Sequence, residues 1–461
     1  MLANIFNTFS NCFKIPELKS RILFTILVLA LCRVIAWVPV PGLDASALRT
    51  WFDNNAGALD NSVVGMYSLF TGGALQRCGI GALGIMPYIT ASIIIQLLTA
   101  VLPGLSKLAR EEGGRAKIIQ YSRYLTVLLC LGHGTLMTLG WESPAKIFPN
   151  WEAGSLVLSG TNIWWYRIQS ILVLTTGTLL LMWLGEQITE RGIGNGISLI
   201  ITIGIVADFP TAFQAVQTMF FPPEGLERQF NAFHAIGLVL LLLAVVAGVI
   251  AVTQAQRKIP VQYAQRAVGR KVYAGGSSFM PLRVNYAGVM PIIFAQAILM
   301  FPAYLFQKLG ELGNLRFIQN LGTELSQGHA AYYILYSLMI LFFSYFWVAT
   351  QFNELQISDD LKKYGGYIPG VRPGQATSEY LHRTMSRITL AGAIFLVLIA
   401  LIPMLLGDWM NIDPTVSQFF GGTSVLITVG VLLDTMRQME THLLMRHYDG
   451  FLKKGRMKGR F

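Results

Sequence analysis

Ten runs of about 20 largely apolar residues recur along this chain, and a helical run of that length crosses a hydrocarbon core. They fall at 21–40, 78–102, 119–140, 163–184, 194–216, 233–252, 286–307, 331–352, 387–406 and 417–436. Inside lipid the backbone has no water to bond, so only helices or closed barrels satisfy it, and these runs lack the two-residue alternation of barrel strands. The fold class expected is therefore all-α, a polytopic membrane protein with ten transmembrane helices. Composition agrees, because 53% of the 461 residues are hydrophobic and 13% are charged, against about a quarter charged in soluble domains. A soluble globular enzyme and a disordered chain both conflict with those numbers.

The net charge of +11 is distributed unevenly. Of the 35 Lys and Arg, 26 lie on one set of alternate segments and 7 on the other, including Arg167 near the start of its span, with Arg33 and Arg123 left inside spans. That asymmetry predicts both termini in the cytoplasm. Two cytoplasmic loops stand out. The 253–285 loop carries Arg257, Lys258, Arg266, Arg270, Lys271 and Arg283 with no acidic residue, and the 353–386 loop holds the stretch Gly365-Gly366-Tyr367-Ile368-Pro369-Gly370-Val371-Arg372-Pro373-Gly374. Its Gly and Pro spacing reads as a structured tip presenting Arg372. Each loop is either a docking surface for a cytoplasmic partner or simply a positive-inside segment. The basic stretch from Lys453 to Arg460 reads as a solvated, membrane-proximal end. The first long run ends without a small-residue cleavage signal, so no leader is expected to be removed.

Between the first two spans, residues 62–70 form an apolar run too short to cross, which reads as a re-entrant half-helix. The second span opens with Gly79, Gly81 and Gly84 and contains Pro87. That pattern describes either a broken helix lining a cavity or an ordinary kink in a bundle.

Familiar catalytic chemistry is missing. The chain has no G-x-x-x-x-G-K-[ST] phosphate loop, and His133, His234, His329, His382, His442 and His447 show no metal-ligand spacing. Cys12, Cys32, Cys78 and Cys130 form no C-x-x-C pair. Gly192-Ile193-Gly194-Asn195-Gly196 lacks the strand and the third glycine that a dinucleotide loop needs. No cofactor is expected and no enzymatic role. Intramembrane ionisable residues are few (Arg33, Arg167, Asp208 and Asp434), so no ion relay is evident. Isoleucines do recur at helical spacing, as Ile85 with Ile89 and Ile197 with Ile201. They face lipid or core, or they form a narrow apolar constriction that excludes ions by dewetting.

Several long motifs occur in order. They are Gly72-Gly73-Ala74-Leu75, Ala82-Leu83-Gly84-Ile85-Met86-Pro87-Tyr88-Ile89 and Ala91-Ser92-Ile93-Ile94-Ile95-Gln96-Leu97-Leu98, then Gln120-Tyr121-Ser122-Arg123-Tyr124, the stretch from Trp183 to Ser198, Pro369-Gly370-Val371-Arg372-Pro373-Gly374 and Gly421-Gly422-Thr423-Ser424. In these the chain resembles the SecY family, the pore subunits of the bacterial protein-export translocon. The resemblance implies two pseudo-symmetric five-helix halves around a central pore. They would comprise residues 1–217 and 218–436, with 437–461 as a cytoplasmic tail and about 61–73 as a plug helix that includes Val63, Val64, Met66, Leu69, Phe70, Gly72 and Gly73. It implies a pore ring of Ile85, Ile89, Ile197, Ile201, Ile293 and Ile427, and a lateral gate that includes Thr90, Ser92, Gln96, Gln296 and Phe301, held shut by weak hydrogen bonds between helices. It makes Arg257, Lys258, Arg266, Arg270, Lys271 and Arg372 docking residues for the ribosome or a SecA-like ATPase motor. Other implied partners are SecE-like and SecG-like small membrane subunits, signal sequences, nascent polypeptides and membrane lipids. The implied location is the bacterial plasma (inner) membrane. Two departures from the family pattern sit on the docking face, Thr253-Gln254-Ala255-Gln256-Arg257 and Asn353-Glu354. A secondary transporter and a membrane scaffold are the competing readings. The transporter predicts paired charges at mid-membrane, where this chain carries isoleucines.

Overall fold

Helices dominate because each apolar run closes its own backbone bonds, and at three helix starts Asn162, Asn195 and Asn353 accept the first free N–H groups. The computed structural model describes residues 15–454 apart from 55–62, 222–229 and isolated loop positions. In chain order the helices are α1 (Pro16–Trp37), α2 (Ala45–Asn54), α3 (Val63–Thr71), α4 (Met86–Val101), α5 (Pro103–Arg110), α6 (Gly114–Glu142), α7 (Ile163–Arg191), α8 (Gly196–Ala207), α9 (Phe209–Phe220) and α10 (Ala232–Gln254). Strands β1 (Gln256–Tyr263), β2 (Arg266–Val268), β3 (Lys271–Tyr273) and β4 (Ser277–Arg283) follow, then α11 (Met290–Gly313), α12 (Arg316–Glu324), α13 (Ala330–Gln351), α14 (Glu354–Lys363), β5 (Gly366–Tyr367), α15 (Gln375–Trp409) and α16 (Thr423–Lys454).

Each of the ten expected spans coincides with a helix, but they are not equally long or apolar. Among the described residues seven helices have the length and composition to cross a membrane, or eight if α4 and α5, bent by 103°, count as one broken span. The 78–102 span is helical only from Met86. Gly72 to Ile85 instead run through successive turns, and Pro87 lies in the first turn of α4, where its missing N–H breaks no bond. The run at 62–70 is indeed a separate short helix, α3. The final helix begins at Thr423, six residues after the start of the expected 417–436 span, and continues to Lys454, well into the segment read as a tail.

The chain divides into two compact units, residues Met1–Thr218 with Val431–Phe461, and Met219–Gly430. In the first, two ion pairs join α6 to α7: Arg123 to Glu186 at 2.7 Å and Arg167 to Glu142 at 2.8 Å. Two of the charges that the sequence places in or beside spans are thus neutralised locally, as low-dielectric surroundings demand. Helix α2 packs Leu48, Trp51 and Phe52 against Phe148 and Leu156, with the Trp51 and Phe148 rings 4.8 Å apart. Gly177 of α7 lies so close to Ile80 that a Cβ would strike the Ile80 carbonyl. The turn segment before α4 therefore presses directly on α7.

In the second unit, α11 meets α13 through Phe294, whose ring lies 5.8 Å from Phe343 and 5.5 Å from Trp347. An antiparallel sheet ordered β4-β1-β5 covers Ile259, Val261, Leu282, Ile368 and Leu381. Reading 253–285 only as a basic loop misses this sheet, although Ile259 and Val261 alternate with exposed neighbours as a half-buried strand requires.

Candidate pore, plug and docking surface

Helix α3 has nine residues, too few to cross a membrane, and is held at its middle and at its C-terminal end by polar contacts. The Tyr67 hydroxyl donates to the Leu83 carbonyl at 3.0 Å, and Arg33 Nη1 of α1 donates to the Gly72 carbonyl at 3.0 Å. The Gly73 N–H returns to the Ser68 carbonyl at 3.0 Å, closing the C-terminal end of the helix. Gly72 and Gly73 have φ of +62° and +74°, a left-handed conformation that suits glycine. Space is also short, for a Cβ on Gly72 would collide with Arg33 Nη1 and lie 2.9 Å from the Gly204 Cα of α8. A cavity of about 30 Å³ remains, lined by residues that include Arg33, Phe70, Thr71, Ile85, Ile200 and Gly204. It is too small for anything larger than a water molecule or two.

Of the seven expected plug residues, Phe70 is buried and Gly72 and Gly73 make the contacts just described. The side chains of Val63, Val64, Met66 and Leu69 lie outside the described residues. Arg33, the residue that actually grips this segment, was visible in the sequence only as an isolated intramembrane charge. Its acceptor is a backbone carbonyl, which no residue pattern announces.

The expected ring residues are placed on four helices, α4, α8, α11 and α16, and on the turn before α4. Ile85, which caps α4, is 2% exposed; Ile89 and Ile201 are also buried, and Ile197 is half-buried. Ile293 on α11 and Ile427 on α16 are buried in the second unit. In the first unit, the isoleucines facing the plug cavity are Ile85, Ile200 and Ile203, while Ile197 lies beside Gly185 of α7. The glycine-rich turn before α8 has a structural purpose. Asn195 accepts from the Ile197 and Ser198 N–H groups at 3.1 and 3.3 Å, and Gly196 packs against the Gly185 carbonyl with no room for a Cβ. Thr25 Oγ1 accepts from the Ile193 N–H at 3.1 Å, and Gln438 Oε1 from the Gly194 N–H at 2.9 Å.

The gate residues differ from expectation in one respect. Thr90 Oγ1 donates to the Met86 carbonyl at 3.1 Å and Ser92 Oγ to the Ile89 carbonyl at 2.8 Å, so both hydroxyl protons serve their own helix. A hydroxyl in a helix interior readily bonds back one turn, and that competes with a bond to another helix. Gln96 is half-buried. Gln296 on α11 is 2% exposed, and its Oε1 meets no hydrogen-bond partner among the described residues. The side chain of Phe301 lies outside the described residues.

The two basic loops, read separately in the sequence, are one structure. Gln262 and Tyr263 at the end of β1 pair with Tyr367 and Gly366 of β5, and the Tyr367 hydroxyl donates to Gln262 Oε1 at 2.9 Å. Arg257 and Lys258 are exposed on β1. Arg372 is exposed on the turn after β5, braced by the Val371 N–H to the Ile368 carbonyl at 3.0 Å and by Thr377 Oγ1 to the Arg372 carbonyl at 2.9 Å. Arg266 and Lys271 fall on the β2–β3 ribbon, their side chains outside the described residues, and Arg270 lies outside them altogether. At the departure Asn353-Glu354, Asn353 caps α14 by accepting from the Gln356 N–H, and Glu354 pairs with His382 of α15 at 2.8 Å.

Known proteins share this plan. The SecY family model matches residues 79–436. The protein translocase subunit SecY of Chlamydia trachomatis is 43% identical, with 98% of this chain and 99% of that one covered. Its counterpart from Thermotoga maritima is 42% identical, with 99% and 100% covered. Among solved structures, a protein-conducting channel superposes with a TM-score of 0.60 at 20% identity, covering 95% of this chain and 94% of that one. Canine Sec61, seen in a ribosome–channel complex from the endoplasmic reticulum, gives 0.56 at 19% identity with the same coverage.

Proposed function

This chain belongs to the SecY family, and from that premise we propose how it works as the pore-forming subunit of a channel for unfolded secretory polypeptides. It is a multi-pass protein of a bacterial membrane and forms part of a protein-conducting channel. Helix α3 acts as the plug of the resting pore, and Ile85, Ile89, Ile197, Ile201, Ile293 and Ile427 form the apolar collar. Stiff β-branched side chains suit a collar, because it closes on a chain of any sequence while dewetting excludes ions. The observation that carries this reading is the short helix α3, too short to cross and seated on α1 and on the turn before α4 through Arg33 and Tyr67.

Lateral release of transmembrane segments runs past Thr90, Ser92 and Gln96 on α4 and Gln296 and Phe301 on α11. Since Thr90 and Ser92 donate within α4, apolar packing and the buried amide of Gln296 carry more of the closing energy than hydroxyl pairs do. The exposed Arg257, Lys258 and Arg372 on one sheet-and-turn platform, with Arg266, Arg270 and Lys271 beside it, dock a ribosome through rRNA phosphates or a SecA-like motor. The chain itself has no catalytic residue, and work is supplied by translation or by that motor. Small SecE-like and SecG-like subunits complete the complex in the plasma membrane, with both termini in the cytoplasm.

The test is crosslinking of a stalled secretory chain to cysteines placed one at a time at Ile85, Ile197, Ile293 and Ile427, with the native cysteines removed. Crosslinks are expected at all four. None, from a chain shown to be engaged, would overturn the collar and favour a solute transporter.

A further inference from the structure

Arg33 is an arginine within a membrane-spanning helix, and its guanidinium stays protonated at any accessible pH. Such a charge needs compensation, and the partner found here is the carbonyl of Gly72 at 3.0 Å. That carbonyl sits just past Thr71, the last residue of α3, where the helix leaves unpaired acceptors and a partial negative charge. A second cation is close by: a Cβ on Gly73 would lie 3.2 Å from Arg77 Nη1, and the Arg77 guanidinium stacks on Trp37 of α1 at 4.1 Å. Asp208, at the junction of α8 and α9, is also near, its Oδ1 3.8 Å from where a Cβ on Gly73 would sit. The C-terminal end of α3 therefore rests in a small charged cradle built by α1, the turn segment and the end of α8.

We propose that Arg33 is the latch of the plug, a positioning residue whose guanidinium holds the Gly72 carbonyl and must release it before α3 can leave its seat. The proposal rests on the reading of α3 as the plug. A charge-assisted hydrogen bond is directional, so it holds one seated position and is lost within about an ångström of movement. The Tyr67 hydroxyl anchors the middle of α3 to the Leu83 carbonyl and Phe70 packs apolar surface, which leaves Arg33 as the directional hold on its C-terminal end. Glycine at 72 belongs to the device, since a Cβ there would occupy the place of Arg33 Nη1.

The test is ion flux through the complete channel, with its partner subunits, in proteoliposomes without substrate. Four forms are compared: the unaltered chain, Arg33→Met, a chain lacking residues 63–71, and the combination. Arg33→Met is expected to raise resting flux about tenfold and to add nothing in the chain that lacks α3. Arg33→Lys keeps one donor and is expected to leak about threefold; it serves the same comparison should Arg33→Met fail to accumulate. Unchanged flux with either substitution, while deletion of α3 leaks, would overturn the latch and leave the plug standing. An equal increment in the chain without α3 would also overturn it, showing a general structural role. Unchanged flux on deleting α3 would instead overturn the plug reading itself.

Discussion

The Tyr367 hydroxyl and the Gln262 carboxamide meet at 2.9 Å, and with the β1–β5 pairing this contact makes one platform of two loops that are far apart in the chain. Charges on that platform should act jointly. Arg257→Glu and Arg372→Glu are each expected to lower export into membrane vesicles without changing resting ion flux, and the double variant to fall short of the product of the two effects. Ribosome affinity measured at two salt concentrations should lose slope by about one unit per phosphate contact removed.

Widening the collar should open it to ions. Ile85→Gly combined with Ile197→Gly is expected to leak small ions in a reconstituted membrane while still passing secretory chains, since dewetting depends on bulk at the constriction. Unchanged conductance would remove both residues from the ring.

The Arg167–Glu142 bridge is bidentate, with both side chains only partly exposed, at 30% and 24%. Glu142→Gln leaves Arg167 without its counter-charge and is expected to cost about 1–3 kcal/mol, between the values for surface and buried pairs. Thermal unfolding in detergent would measure it, and adding Arg167→Met should recover part of the loss.

Substitution of Gly196 should be poorly tolerated. A Cβ at this position would run into the Gly185 carbonyl, so Gly196→Ala is expected to push α8 from α7 and cost more than the ~1 kcal/mol typical of a point change. A lowered unfolding temperature with the helical content kept is the expected reading.

Acid should loosen α2. The Ser46 hydroxyl and N–H donate to Asp44 at 2.5 and 3.0 Å, holding its carboxyl below the usual carboxylate range. A carboxyl lowered in the folded state stabilises above its unfolded pKa, near 4, and the contribution fades as pH falls through the lower folded value. Amide exchange in α2 should accelerate over that interval, and Asp44→Asn should flatten the response.

The parts of this architecture that rest on composition were legible without coordinates. Long apolar runs announce helices, and the run at 62–70, too short to span, announces α3 because a length limit set by the bilayer applies to every sequence. The break before α4 was legible from Gly79, Gly81 and Gly84, though its extent was not, since Pro87 fits the first turn of a helix as well as a kink. The sheet was hidden because charge dominated the reading of 253–285, and β5 is too short to carry a pattern. Thr90 and Ser92 look from sequence like groups that face another helix, and whether a hydroxyl bonds backward or across depends on packing.

The pairing of β1 with β5 also bears on when the proposed docking platform exists. Tyr367 is made 105 residues after Gln262, with α11 and α13 synthesised between them. A contact so distant along the chain closes late. A copy still emerging from its ribosome, short of Gly366, carries the basic strands but lacks the edge strand that completes the sheet and the turn that presents Arg372. On the docking role proposed above, half-made chains offer an incomplete landing surface.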